Sequence, residues 1–480
     1  MAIKKLDITT YPGNIINNAF VPTLTTRHSL NPSTTAALWE TPVATPADVD
    51  AAVSAARAAF PPWSATSFAE RAALLRAFAA AIEAQIPQLA RLLTLEQGKP
   101  LALAEAECAK AVDWLRAYAG MEVRDEVARE WDGEKRVWRT WTPLGVVVGI
   151  VPWNWPVMLA CGKIGPALIT GNTFIMKPSP YTPYSDLKLG ELAMSIFPPG
   201  VVQVLSGSDV LGPWLTEHAD VDKVSFTGSV ATGKLVMASC AKTLKRVTLE
   251  LGGNDPAIIC EDVDIAAIVP KLATMAFLNS GQICMLVKRF YVHESIYDDF
   301  RDALVEWTRE NVRTGDGFEE GVMVGPVQNA MQFEKVKDLY ADIAAQSLTP
   351  ALAGGVVEAE KGYFITPAII DNPPDDARVV VEEAFGPVVP LLKWSGEDEV
   401  VARANSGKAG LGASVWSKDV ERGERLARRL QAGSVWVNSH FDVAADVPYG
   451  GHKWSGLGVE GGLEGLKGFM NQTSLWVFGE

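Results

Sequence analysis

From residue 145 onward, short apolar and β-branched runs alternate with helical stretches. The runs are Val146 to Val151, Thr173 to Met176, Val201 to Leu205, Lys223 to Phe226 and Val247 to Leu249. Strands spaced by helices in this way imply βαβ units and a parallel sheet. A second alternation begins at Ala257-Ile258-Ile259 and runs through Phe290-Tyr291-Val292 to Val435-Trp436-Val437. Two α/β domains are expected. Ahead of them, Asn14 to Val21 reads as a short strand segment, and residues 47 to 120 as helices rich in Ala and Leu. The first helix opens at Pro46-Ala47-Asp48-Val49-Asp50, with acids placed to meet the macrodipole. Charges and aromatics alternate from about 121 to 142 around Asp132-Gly133, a hairpin signal. Thr473 to Phe478 reads as a late extra strand.

One segment imitates a membrane span. From Leu144 to Met176 the sole charge is Lys163. Pro152, Pro156 and Pro166, with Asn154 and several glycines, would break a single helix repeatedly. A buried parallel strand, a loop and a buried helix account for the run better. With 480 residues the chain exceeds what one core usually supports. A net charge of −14 and no visible basic stripe disfavour nucleic acid as a partner. Cys108, Cys161, Cys240, Cys260 and Cys284 are odd in number and lack CxxC spacing, which argues for reduced thiols in a cytoplasmic setting, and against disulfides or a zinc site. The segment Met1 to Asp7 lacks the apolar core of a signal peptide, so none is expected.

Chemistry concentrates around Ser280-Gly281-Gln282-Ile283-Cys284-Met285. A helical stretch, Pro270 to Leu278, and a Ser-Gly break deliver this cysteine into a loop. Upstream lie Pro152-Trp153-Asn154-Trp155-Pro156 and Glu250-Leu251-Gly252-Gly253-Asn254. A thiol, an amide and a carboxylate are the parts needed to attack a carbonyl, hold the oxyanion and activate water. With these motifs the chain resembles the aldehyde dehydrogenase superfamily, over nearly its whole length. The resemblance implies two open parallel-sheet Rossmann-like domains with a small β oligomerisation appendage. Residues 1–120 and 143–253 would bind cofactor, 254–446 would form the catalytic domain, and 121–142 with 471–480 the oligomerisation element. Residues 447–470 would return towards the cofactor domain.

The implied reaction is oxidation of an aldehyde to a carboxylic acid with NAD or NADP. Cys284 would attack the carbonyl carbon, the Asn154 amide and the Cys284 N–H would hold the oxyanion, and Glu250 would activate water to hydrolyse the thioester. A CoA-acylating relative would pass the acyl group to a thiol, and a hydrolytic base at Glu250 disfavours that. A redox-silent structural or binding relative is disfavoured by the retention of Cys284, Asn154 and Glu250 together. His440, after Val437-Asn438-Ser439, reads as structural or pocket lining, not as a second base.

On the cofactor side, Gly456-Leu457-Gly458-Val459-Glu460-Gly461 spells GxGxxG but lacks a preceding buried strand. Phe226-Thr227-Gly228-Ser229-Val230-Ala231-Thr232-Gly233 follows a strand and opens a helix, so its free amides suit a pyrophosphate. It is similar to the family's FTGSxxxG motif, which implicates Gly228 and Ser229. Resemblance also implicates Trp153 in cofactor binding, Lys177 and Ser179 near the adenosine, and Glu383 and Phe385 of Glu383-Ala384-Phe385-Gly386-Pro387 near the nicotinamide. Pro180 stands where a glutamate is common, and a proline neither accepts from the ribose nor repels a 2′-phosphate. Relaxed use of both cofactors is therefore expected. Asn254 replaces a frequent lysine, with no chemical role attached.

By resemblance Trp155, Leu159, Gly162, Met285 and Val443 line the substrate tunnel. Gly162 and Val443 stand where large aromatics are common, so a wide tunnel for bulky aromatic or long aliphatic aldehydes is expected. The 121–142 hairpin and the 473–478 strand resemble oligomerisation elements. Their exposed edges need cover, which points to a homodimer or homotetramer.

Overall fold

The computed structural model describes residues 6–9, 13–131, 135–357 and 361–478. Its first large sheet has eight strands in the order Ala19–Val21, Asn14–Ile16, Val202–Val204, Thr173–Lys177, Val146–Ile150, Lys223–Thr227, Arg246–Glu250 and Gly456–Leu457. The five strands from Val202–Val204 to Arg246–Glu250 are mutually parallel, and the pairings flanking them are antiparallel. Their apolar runs are covered on both faces, which is why no polar alternation is visible in them.

The run that imitates a membrane span is the strand Val146–Ile150, the helix Pro156–Ile169 and the strand Thr173–Lys177. Among the described residues no helix is long and apolar enough to cross a membrane. Four helices occupy the stretch expected to be helical: Pro46–Ser64, Phe68–Glu83, Ile86–Gln97 and Leu101–Tyr118. The first is capped by Thr45, whose hydroxyl accepts from the Asp48 amide while the Asp48 carboxylate accepts from the Thr45 amide at 2.7 Å.

A second sheet of seven strands runs Pro350–Leu352, Ala368–Asp371, Val388–Trp394, Val287–His293, Asp255–Ile259, Gly412–Trp416 and Ser434–Val437. All its pairings are parallel except that of Pro350–Leu352. A third sheet joins Met470–Phe478, Lys135–Pro143 and Glu126–Trp131, all antiparallel. The Asp132-Gly133 turn expected between two of these strands lies outside the described residues, as does the start of the chain through Lys5.

Parallel strands place their C-terminal ends together. Thr227 pairs with Glu250, and Ile150 with both Phe226 and Lys177. The ends of these strands and the loop after Ile150 therefore form one rim, where open α/β sheets hold their ligands.

Candidate active site

The helix leading to the cysteine spans Ile265–Phe277, so it starts earlier than expected, at an Asp264 cap that accepts from the Ala267 amide. Past Phe277 the backbone enters the left-handed region at three consecutive residues, Asn279 (φ 51°), Ser280 (φ 60°) and Gly281 (φ 72°). Such backbone costs free energy in non-glycine residues and persists only where its surroundings hold it. Ser280 Oγ donates to the Gly325 carbonyl at 2.8 Å, and Lys288 Nζ to the Gly281 carbonyl at 2.6 Å. A Cβ on Gly281 would lie 2.2 Å from the Gly386 carbonyl oxygen, so only glycine fits there. The turn leaves Cys284 half-buried, whereas the other four cysteines are buried.

Two cavities meet at this thiol. One is lined by Trp153, Gly228, Ser229, Gly252, Glu383 and Phe385 among others. The other is lined by Trp114, Trp155, Leu159, Met285, Phe441 and Val443 among others, with the carboxylates of Glu250 and Glu460 also in its lining. Asn154, Thr227 and Cys284 line both.

Asn154 is buried in the loop after the Val146–Ile150 strand, and its Nδ2 donates to the Gln282 carbonyl at 2.9 Å. Glu250 ends its strand with Oε1 lacking a hydrogen-bond partner among the described residues. Burial holds its carboxyl well above the usual range, the neighbouring Glu460 adds to this, and Lys163 opposes it. Behind it, Lys163 Nζ donates to Glu460 Oε1 at 2.8 Å and to Ser225 Oγ at 2.9 Å, while the Tyr449 hydroxyl donates to Glu460 Oε2 at 3.0 Å. The Cys284 thiol is pushed up by burial first, then by Glu383, Glu250 and Asp255, with Lys288 opposing.

In the first cavity, Ser229 caps the helix Val230–Ala241, accepting from the Thr232 amide at 3.2 Å. Glu383 Oε1 accepts from the Gly253 amide at 3.1 Å, and Phe385 meets Trp153 edge-on with ring centroids 5.4 Å apart. Lys177 and Ser179 lie beyond this lining, at the end of the Thr173–Lys177 strand. Burial brings Lys177 down to about 8, with Asp209 opposing and Arg27 reinforcing the shift. Its Nζ donates to the Pro178 carbonyl at 3.2 Å, and Ser179 Oγ accepts from the Tyr181 amide at 3.2 Å.

Of the residues expected in the substrate tunnel, Trp155, Leu159, Met285 and Val443 line the second cavity and Gly162 does not. A Cβ on Gly162 would meet the Trp114 ring at 3.5 Å. Trp114, from the helix Leu101–Tyr118, thus fills the space that the glycine leaves, and itself forms the wall.

His440 belongs to a chain of donors. Trp416 Nε1 donates to Ser414 Oγ at 3.0 Å, which leaves the Ser414 hydroxyl to donate to His440 Nδ1 at 2.9 Å. His440 Nε2 then donates to the Met285 carbonyl at 3.1 Å. Burial brings this imidazole down to about 3, and it lines neither cavity at Cys284. The segment spelling GxGxxG is not a phosphate loop. Gly456–Leu457 pairs antiparallel with Leu249 and Glu250, and the turn beyond it delivers Glu460 to the tunnel.

Two largely parallel α/β sheets, with one thiol lining both a cleft and an apolar tunnel, define a class, the cysteine-dependent oxidoreductases that act on aldehydes. The chain belongs to the aldehyde dehydrogenase family, whose model matches residues 20–475. It is 42% identical over 474 residues to aldehyde dehydrogenase LUC3 of a Fusarium species, covering 98% of this chain and 100% of that one. Among solved structures, betaine aldehyde dehydrogenase of Staphylococcus aureus in complex with NAD+ is similar at a TM-score of 0.94 and 32% identity, over 98% of this chain and 95% of that one. An NADP dependent enzyme of E. coli is similar at 0.94 and 34% identity, over 97% and 98%. The protein is an aldehyde-oxidising enzyme.

Proposed function

We propose that this enzyme oxidises an aldehyde to the free acid with NAD or NADP, through a thioester on Cys284. The observation carrying this reading is that Cys284, Asn154 and Thr227 line both cavities, so a thiol-bound carbonyl faces the two at once. The first cavity suits the pyrophosphate and nicotinamide end of a dinucleotide. Gly228 and Ser229 precede a helix of twelve residues; the Thr232 amide is taken by Ser229 Oγ, which leaves the amides of Val230 and Ala231 to meet a pyrophosphate, and Trp153, Glu383 and Phe385 line the same cavity. When bound, the nicotinamide supplies the hydride acceptor. Lys177 and Ser179 would hold the adenosine end, and Pro180 brings no carboxylate to exclude a 2′-phosphate. The proposal includes a division into a cofactor-binding unit (1–120 and 143–253), a catalytic unit (254–446), an oligomerisation element (121–142 and 471–480) and a segment, 447–470, that returns towards the cofactor-binding unit.

Cys284 must lose its proton before it attacks, because the thiolate is the nucleophile. The attack forms a carbon–sulfur bond and places negative charge on the former carbonyl oxygen. The Asn154 amide and the Cys284 N–H hold that oxygen, and one such donor typically contributes ~3 kcal/mol in a water-excluded site. Oxidation of this adduct leaves the thioester. Glu250, at the tunnel end beside Cys284, takes a proton from the water that cleaves it, and the thiol is released with the acid.

The tunnel lining of Trp155, Met158, Leu159, Ile283, Phe441 and Val443 supports bulky aromatic or long aliphatic aldehydes. Width arises at Val443, since Trp114 takes up what Gly162 leaves open. Assembly as a homodimer or homotetramer is supported by Leu475, Trp476, Val477 and Phe478, which are exposed on an edge strand. Five unpaired cysteines support a reducing, cytoplasmic setting.

The test mixes enzyme, aldehyde and either cofactor and follows the absorbance of reduced nicotinamide. Cys284→Ala abolishes turnover. Glu250→Gln leaves a burst and slows the steady state, and an unchanged steady rate removes Glu250 as the base. Product analysis with coenzyme A present separates hydrolysis from acyl transfer, and efficiency on acetaldehyde above that on benzaldehyde-sized substrates counts against the tunnel reading.

A further inference from the structure

A buried ion pair that takes no part in the chemistry above lies one peptide away from it. Lys99 follows the helix Ile86–Gln97 through Gly98, which adopts a φ of 91°. Its ammonium is buried and donates to Glu107 Oε2, a carboxylate equally buried in the next helix, Leu101–Tyr118. Charges removed from water this completely are costly, and their mutual attraction often only balances that cost. Stability alone therefore does not account for the pair.

Among the described residues, the other polar contacts of the two charged groups converge on the segment that carries Asn154. Lys99 Nζ donates to the Asn154 carbonyl at 2.9 Å. It also sits 4.4 Å from the centroid of the Trp155 ring. Glu107 Oε1 accepts from the Met158 amide at 3.2 Å, in the first turn of the helix Pro156–Ile169. Asn279 Nδ2 reaches the same Asn154 carbonyl at 3.2 Å from the left-handed turn ahead of Cys284. One peptide oxygen is thus clamped both by the ion pair and by the loop that carries the nucleophile. The clamp fixes the Asn154 backbone from which the side-chain amide projects.

We infer that Lys99 and Glu107 are positioning residues, holding the Asn154 amide at the distance from Cys284 that an oxyanion requires. Oxyanion donors act only when preorganised, and a displacement of about 1 Å costs on the order of a hundredfold in rate. An apolar pair of similar volume would fill the same space but would leave the Asn154 carbonyl with Asn279 alone.

The inference rests on Asn154 as the oxyanion donor, and the experiment separates the two. The burst of reduced nicotinamide is measured in the full-length enzyme at saturating aldehyde and cofactor, beside the melting temperature. Lys99→Met is expected to slow the burst by about a hundredfold and to lower the melting temperature, since Glu107 is left unpaired. The double variant Lys99→Met/Glu107→Met is expected to recover the melting temperature but not the burst. Combined with Asn154→Ala, Lys99→Met is expected to slow the burst no further, because its effect passes through that amide. Recovery of the burst together with stability overturns the inference and leaves a structural pair. So does an equal cost of Lys99→Met with and without the Asn154 side chain. An unaltered burst in Asn154→Ala alone removes the oxyanion assignment, and the positioning role with it.

Discussion

Lys163 Nζ and Glu460 Oε1 are 2.8 Å apart in a buried ion pair behind Glu250. Burial pushes Glu460 up, yet Lys163, Ser225 and Tyr449 together hold it below the usual carboxylate range. Its retained charge raises Glu250, and Lys163 lowers Glu250. The two partners therefore bias the proposed base in opposite directions.

Opposite pH shifts follow. Glu460→Gln removes a negative neighbour, so Glu250 ionises more readily and the acid limb of the steady-state rate moves to lower pH, by about one unit. Lys163→Met removes the opposing cation and moves that limb to higher pH. Limbs that move in the same direction in both variants contradict this account of Glu250.

The thiol offers a second titration. Burial, Glu383, Glu250 and Asp255 all raise Cys284, so it is largely protonated at neutral pH without ligands. Inactivation by iodoacetamide is expected to accelerate about tenfold per pH unit between pH 7 and 9, tracking the thiolate fraction. Glu383→Gln removes the strongest of the raising charges and speeds inactivation at pH 7.5 about threefold or more. A plateau below pH 8 in the unaltered enzyme refutes the raised thiol.

What the sequence makes legible is local. Uninterrupted apolar runs such as Val146–Ile150 betray strands buried on both faces, and the Ser-Gly break betrays the turn before Cys284. Glu460 was hidden because its delivery depends on Leu457 pairing with Leu249, a contact between distant segments with no periodic signal. Lys163 and Lys99 were hidden for a different reason. Lysines are almost always solvated, and nothing nearby in the sequence announces their carboxylate partners. Trp114 was hidden by its helix, where an aromatic at core spacing looks like packing and nothing more. The tunnel width inferred from Gly162 needed that ring to be known.

Trp114 and Gly162 share one space, and exchanging them tests this. Gly162→Phe forces a ring against an indole that would stand 3.5 Å from its Cβ, so it destabilises by about 1–3 kcal/mol. Adding Trp114→Ala to Gly162→Phe restores the melting temperature by reopening the room. Trp114→Ala alone enlarges the tunnel and raises efficiency on branched aromatic aldehydes relative to hexanal. Additive destabilisation in the double variant shows that the two positions do not share the space.

With the adenosine end placed at Lys177 as proposed, cofactor choice turns on what stands beside that residue. Burial brings this ammonium down to about 8, so near neutral pH it remains mostly charged and loses that charge as pH rises through 8. A 2′-phosphate gains from that charge, and Pro180 offers no carboxylate against it. NADP efficiency is therefore expected to fall relative to NAD between pH 7 and 9. Pro180→Glu is expected to depress NADP efficiency at least about tenfold while leaving that with NAD nearly constant, since the new carboxylate repels the phosphate and accepts from ribose hydroxyls. Comparable efficiencies with the two cofactors in the unaltered enzyme support relaxed selection. A preference of several hundredfold for NAD, untouched by Pro180→Glu, places the selection elsewhere than at this rim.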